Sequence, residues 1–263
     1  WNDLYFALSV PLLPLIKEDL DLSFTQVGLL RSVFGASSAV LQVPAGLLAE
    51  TAGEFWLLIL GNVWVGLGLI GMGLSPVFLV LLAVSFVGGL GGGAQHPLAS
   101  SMVSRAYDTG GRSTAVGTVN FAGDLGKMVG PAVAAVAIVT LHWRTILILI
   151  GGTGAVFMAA SVPLHRRVRP SSHRADADDM SVTDDADSPI SGFIALSIVG
   201  MLDATTRGAA LTFLPFVLAD KGLGASQISG LFVVLFAGGA AGKLFLGWLG
   251  DRVGLLTLIW GSK

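Results

Sequence analysis

Several ionisable side chains stand inside long apolar stretches, where a charge is costly and marks either function or a buried partner. Asp3 precedes the run 4–16 with no cation within one helical turn of it. Asp124 and Lys127 are three residues apart, and Asp203 and Arg207 four apart, so each pair shares a helix face. His96 stands next to Pro97 in a fourth apolar stretch. A carboxylate in such surroundings can take up and release a proton as it is opened to one side or the other. Asp3, Asp124 and Asp203 are therefore candidates for proton coupling, and His96, Lys127 and Arg207 for solute contact or gating. Each has a plainer alternative. The two pairs can be local structural ion pairs, and Asp3 can be held by Lys127 or Arg207 across helices. His96 can be satisfied by backbone carbonyls freed at the proline, and Arg31 and Lys243 can snorkel to an interface.

Other chemistries find no footing. The four histidines are widely spaced and there is no cysteine, so no metal-ligand cluster is expected. Gly89-Leu90-Gly91-Gly92-Gly93-Ala94 fits a dinucleotide-binding spacing, yet no strand precedes it and close helix packing accounts for it. No nucleophile elbow or P-loop is present, so neither covalent catalysis nor direct use of ATP is expected. No cofactor is expected, and the net charge of -2 gives no reason to expect a nucleic-acid partner.

The elements that position these residues follow from composition. Hydrophobic residues make up 53% of the chain and charged ones 12%, with 36 glycines. Mean hydropathy is +0.79. Soluble domains carry about 25% charged residues, so this charge content belongs to a membrane protein. Apolar stretches of spanning length recur. The first ends near Ile16, and the next fall at 25–49, 55–74, 77–100, 114–141 and 145–164. A polar segment at 165–188 follows, basic at its start and acidic at its end, and it reads as a solvated tether. Further spans are expected at 190–218 and 227–248, with a ninth beginning at 255–260. The chain reads as starting inside its first span, and Asp3 then lies about 20 Å from that helix's outer end at 1.5 Å per residue. With a cytoplasmic N-terminus, Arg105, Arg112, Arg166, Arg167, Arg169, Arg174 and Arg252 fall inside and only Lys17, Arg144 and Lys221 outside. The positive-inside rule favours that orientation at a cell membrane.

An internal repeat organises the spans. Pro14 and Pro215 stand 201 residues apart, as do Asp19 and Asp220, Leu22 and Leu223, and Gln26 and Gln227. The same offset relates Gly46 to Gly247, Leu48 to Leu249, Glu50 to Asp251 and Gly53 to Gly254. The seventh and eighth helices therefore repeat the first and second, and each half has six helices. The expected division is a six-helix bundle at 1–164, a cytoplasmic linker at 165–188 and the start of a second bundle at 189–263, with about four spans outside this chain.

The segment Gly46-Leu47-Leu48-Ala49-Glu50-Thr51-Ala52-Gly53 resembles the G-x-L-a-D-r-x-G loop signature of the major facilitator superfamily. Gly247-Trp248-Leu249-Gly250-Asp251-Arg252-Val253-Gly254 resembles its second copy. In physical terms the signature reads as a tight turn with glycines at both ends, an acid near a helix N-terminus and an Arg that pairs with carboxylates. Glu50 and Thr51 depart from it in the first copy. In the fifth span Gly117, Gly126, Gly130 and Pro131 resemble the superfamily's antiporter motif, with Ala134 and Ala135 where two further glycines usually stand. Glycines at this spacing also serve ordinary close packing, with Pro131 bending the helix. Asn2-Asp3, Pro11-Leu12-Leu13-Pro14 and Gln95-His96-Pro97 are most similar to the fosmidomycin-resistance group of exporters. The resemblance implies an all-α polytopic fold with two alternating halves. It implies proton-coupled export of a small molecule or drug by a monomer in the lipid bilayer. Proton-linked uptake of an organic solute by the same fold, and a non-transporting sensor, are the alternatives. A polytopic membrane enzyme would need polar catalytic groups clustered at one depth, and the repeat offers none.

Overall fold

A computed structural model of the chain describes residues 1–107, 112–163 and 190–253. Among the described residues all regular structure is helical, in ten α-helices. They are α1 (Asn2–Asp19), α2 (Phe24–Val40), α3 (Gln42–Ala52), α4 (Glu54–Leu74), α5 (Phe78–Leu90), α6 (Gln95–Ala106), α7 (Arg112–Ala137), α8 (Trp143–Ser161), α9 (Ile190–Asp220) and α10 (Ala225–Val253). Among the described residues four segments are long and apolar enough to cross a membrane: Glu54–Leu74, Phe78–Ser104, Trp143–Ser161 and Ala225–Gly242. The tether expected at 165–188 and the ninth span expected at 255–260 lie outside the described residues.

Two expected spans are each built from two helices. The second is interrupted at Leu41, where α2 ends and α3 begins. The fourth is interrupted between α5 and α6, where the N–H groups of Gly91, Gly92 and Gly93 donate to the carbonyls three residues back, those of Gly88, Gly89 and Leu90. Such tight turns commonly mark the joint between two helical pieces. Hydropathy registers apolar length, and this does not change when the hydrogen-bond ladder switches for one turn.

The repeat seen in the sequence is present as duplicated geometry. Ser23 and Gln26 form a capping box on α2, with the Gln26 side chain accepting from the Ser23 N–H at 2.8 Å. The matching Gln227 accepts from the Gly224 N–H at 2.9 Å at the start of α10. The preceding turns also match: the Leu22 N–H reaches the Lys17 carbonyl and the Leu223 N–H reaches the Leu218 carbonyl, at 2.9 and 3.2 Å. Both turns need one residue in the left-handed region, Asp21 (φ 47°) in the first and Gly222 (φ 88°) in the second. Glycine adopts that conformation freely, and aspartate tolerates it better than most residues.

Backbone contact at glycines holds the helices together. A Cβ on Gly66 of α4 would lie 2.6 Å from the Gly151 carbonyl oxygen of α8, and one on Gly68 would lie 2.5 Å from Gly88 Cα of α5. Small residues permit this approach, and dispersion then acts across the whole seam. The buried core includes Tyr5, Leu8, Leu12 and Ile16 of α1 with Leu69 of α4, Leu81 of α5 and Leu147 of α8. Arg144 at the start of α8 ties one end of the bundle. Its Nε and Nη2 donate to Asp19 at 3.2 and 3.0 Å, and Nη1 donates to the carbonyls of Gly73 and Ser75 at the C-terminal end of α4. A guanidinium suits this task because its donors point in several fixed directions at once. Apolar side chains such as Ile198, Met201, Leu202 and Val234 on α9 and α10 remain exposed.

Candidate functional site

The far end of α1 from Arg144 carries the densest charge cluster among the described residues. Asp3 is buried, at 8% exposure, although it is an acid in the first turn of an apolar helix. His96 of α6 approaches it with Nε2 at 3.4 Å from Oδ1, and Lys127 of α7 with Nζ at 3.6 Å from Oδ2. Lys127 also donates to Asp124 Oδ1 at 3.1 Å, and Asp124 is buried too. Three helices thus place two carboxylates around one ammonium, with an imidazole on the outer side. The nitrogen-bearing side chains are the more open members: that of His96 is 62% exposed and that of Lys127 33%.

Each residue is held for an identifiable reason. α7 lies directly on α1 because Gly126 and Gly130 have no side chain there. A Cβ on Gly126 would be 3.2 Å from the Leu4 nitrogen, and one on Gly130 would be 2.7 Å from the Leu4 carbonyl oxygen. A side chain at Gly123 would collide with the Asp3 carboxylate. Pro131 stands inside α7 and lacks the N–H that would bond the Lys127 carbonyl. His96 is positioned by its neighbour. Gln95 donates to the Leu58 carbonyl at 2.9 Å and accepts from Asn62 Nδ2 at 2.8 Å, which ties the start of α6 to α4. Both amides are buried, where an unmade hydrogen bond costs about 1–3 kcal/mol.

The sequence expectations divide accordingly. Asp3, His96, Asp124 and Lys127 come together. Asp3 lacks a cation on its own helix, but Lys127 of α7 supplies one and His96 of α6 stands beside it, so the cross-helix partner is Lys127 and not Arg207. His96 faces a carboxylate and not carbonyls freed at Pro97. Arg207 pairs with Asp203 at 3.5 Å on α9, with side chains 68% and 43% exposed, and this pair contributes no ion pair to the Asp3 cluster among the described residues. Gln95 entered the sequence reading only inside a short string, and Asn62 was missed. The available signal was an amide in each of two otherwise apolar spans.

The loop signature is corrected in part. Gly46 lies inside α3, and a Cβ there would meet nothing, so it does not form a turn. The helical ladder runs on to Ala52, and the whole reversal falls on Gly53, whose φ of 82° favours glycine. Gly247, Asp251 and Arg252 lie in the last turns of α10; the side chains of Glu50, Asp251 and Arg252, and Gly254 as a whole, lie outside the described residues. In the antiporter-like motif Gly126 and Gly130 make close approaches, while a Cβ on Gly117 would meet nothing within 4 Å. Among the described residues no group of three or more His, Asp or Glu is placed to hold a metal. A crevice of about 260 Å³, lined by Leu48, Leu57, Trp64 and Leu90 among others, carries no charged side chain and stands apart from the cluster.

The chain is similar to known proteins throughout its length. It is 29% identical over 273 residues to the fosmidomycin resistance protein of Escherichia coli K12, covering 99% of this chain and 65% of that protein. It is 29% identical over 163 residues to a probable sulfoacetate transporter of Cupriavidus necator, covering 59% of this chain and 38% of that one. A probable L-galactonate transporter of E. coli K12 is 29% identical over 144 residues, covering 55% of this chain and 32% of that protein. The fold matches the crystal structure of a bacterial homologue of the human lysosomal transporter Spinster, inward-facing and unoccupied. The TM-score is 0.73 at 17% identity, covering 95% of this chain and 60% of that one. The chain thus spans less than two-thirds of the length of these relatives. These relatives are named as transporters or a resistance protein, and none as an enzyme. The model of the Major Facilitator Superfamily matches residues 2–262, and the chain belongs to that family.

Proposed function

We propose that the full-length protein is a secondary active transporter that exports a small molecule in exchange for protons by alternating access between two six-helix halves. One observation carries the reading: a buried carboxylate, Asp3, bridged by His96 and Lys127 from two other helices. A proton arriving at Asp3 loosens both contacts, so protonation and helix packing are linked. The exporter direction is supported by likeness to a resistance protein and by the Gly126–Gly130 seam that sets α7 against Asp3. Uptake in symport with protons is the second reading, favoured by likeness to proteins named for sulfoacetate and L-galactonate transport. The protein acts as a monomer in the bilayer.

The test is transport by everted membrane vesicles carrying the full-length protein, with fosmidomycin, sulfoacetate and L-galactonate as probes. Accumulation driven by an acidic lumen supports proton-coupled export. Accumulation only in right-side-out vesicles with an acidic exterior would favour symport, and movement of no probe under either gradient would count against both. Orientation has its own test in this cysteine-free chain. Tyr107 and Val77 are exposed at opposite ends of the fourth span, at 51% and 53%. In intact cells an impermeant thiol reagent is expected to label Val77→Cys and to spare Tyr107→Cys. The reverse pattern would invert the proposed topology, in which the N-terminus and the linker are cytoplasmic.

A further inference from the structure

We infer that Arg31 of α2 binds the anionic group of the transported solute, which is therefore a small organic anion bearing a carboxylate, sulfonate or phosphonate. The inference rests on the transporter reading above and adds to it a substrate class and a recognition residue.

Arg31 is partly exposed as a residue, but one end of its guanidinium is closed off. It is the eighth residue of α2, about 10 Å into the helix from Phe24 at 1.5 Å per residue, and its Nη1 is buried with no hydrogen-bond partner. Lys127, Arg144 and Arg207 each stand beside a carboxylate, whereas no ion pair is formed by Arg31 among the described residues. A guanidinium stays protonated, so burial cannot be relieved by losing the proton. An isolated charge in low-dielectric surroundings is strongly unfavourable, and a chain that keeps one there has an anion to set against it.

The direction in which Arg31 lies identifies where that anion comes from. Phe24, Gly28, Arg31 and Gly35 recur at helical spacing along one face of α2. The Phe24 ring packs edge-on to Phe213 and Phe216 of α9, at 6.3 and 5.3 Å between centroids. A Cβ on Gly28 would touch Phe213 at 3.5 Å, while one on Gly35 would meet nothing within 4 Å. The seam between α2 and α9 is thus closed by aromatic rings at the Phe24 end, and it is open at Gly35, one helical turn beyond Arg31. The depth also fits. Phe34 stacks on Phe6 of α1 at 4.4 Å, one helical turn from Arg31 and one from Asp3. Arg31 and Asp3 are therefore separated by about 9 Å along the bundle axis at 1.5 Å per residue. The planar fork of the guanidinium matches the two-oxygen edge of a carboxylate, sulfonate or phosphonate.

The experiment is ligand-induced thermal stabilisation of the purified full-length protein, with sulfoacetate, L-galactonate and fosmidomycin as anions and galactose as the uncharged control. The wild type is expected to be stabilised by at least one anion and not by galactose. Arg31→Gln is expected to weaken that anion about 30-fold, the loss of a charged hydrogen-bonding partner worth about 2 kcal/mol. Its ligand-free melting temperature should not fall below the wild-type value, since an uncompensated charge is removed, and Arg31→Lys should recover part of the affinity. Anion affinity unchanged in Arg31→Gln overturns the inference, as does a wild type that none of the anions stabilises. A large drop in ligand-free stability without selective loss of anion binding would make Arg31 a structural ion-pair partner instead. Stabilisation by phosphatidylglycerol alone, lost in Arg31→Gln, would assign it to a lipid headgroup and would also overturn the solute claim. Anion binding that depends on Arg31 without pH-driven movement would fault the coupling and leave Arg31 standing. pH-driven movement of an anion unaffected by Arg31→Gln would fault Arg31 alone.

Discussion

Asp3→Asn in the full-length protein is expected to reduce uphill, pH-driven transport to background while expression and solute binding persist. The amide keeps the shape of the side chain: its oxygen can still face Lys127 Nζ, while its NH2 takes the place of the oxygen beside His96 Nε2, so the site stays filled without a titrating group. Lys127 retains Asp124 at 3.1 Å, and its charge is therefore not abandoned. This matters because removing one partner of a buried pair usually destabilises by several kcal/mol through the charge left behind. The measurement is solute accumulation in proteoliposomes under an imposed pH gradient, paired with downhill exchange at equal pH on both sides. A carrier of protons should lose the first and keep the second. A residue that only holds helices together should impair both, with lower thermal stability. If accumulation continues at near the wild-type rate, Asp3 is not the carrier. Asp124 then stands next, being buried beside the same ammonium, ahead of Asp203, which is half exposed with a partner on its own helix.

The residues now assigned to this site show which physical signals a sequence carries. Asp124–Lys127 and Asp203–Arg207 were legible as pairs because helical spacing alone brings them together. The contact of Asp3 with Lys127 was open only as an alternative beside Arg207, and that with His96 was not seen, because both depend on how α1, α6 and α7 cross. Spacing within one helix says nothing about that. The apolar runs placed the spans to within a few residues, and the 201-residue offset anticipated a duplicated turn before either copy of it was seen. The helix breaks at Leu41 and at Gly91–Gly93 escaped because uninterrupted hydropathy conceals a change in backbone bonding. The glycine run had been read as packing, which is correct for Gly91 against the Gly61 backbone, but the same run also frees α6 to start in a new direction. Gln95, Asn62 and Arg144 act through partners on other helices, and nothing local in their surroundings names those partners.

Gly130→Leu is expected to destabilise the folded protein and abolish transport, whereas Gly117→Leu on the same helix is tolerated. At Gly130 the first side-chain atom would already lie 2.7 Å from the Leu4 carbonyl oxygen and 2.9 Å from the Leu8 nitrogen. Both are backbone atoms of α1, so no rotamer change can move them and the helices themselves must part. Overpacking costs about 1–3 kcal/mol where side chains can adjust, and more where backbone must shift. The substitution also gains about 1 kcal/mol of helix propensity, which is too little to offset a collision between two helix backbones. Separation of α7 from α1 would also carry Lys127 away from Asp3, so transport should fail even in molecules that remain folded. At Gly117 a Cβ meets nothing within 4 Å, and only the propensity gain applies. Thermal unfolding followed by fluorescence-detected gel filtration, with pH-driven transport on the same samples, separates the two. Equal melting of Gly130→Leu and wild type would refute the close α1–α7 seam. Equal damage from both substitutions would show that the whole glycine series acts alike, and that direct contact with α1 is not what Gly130 provides.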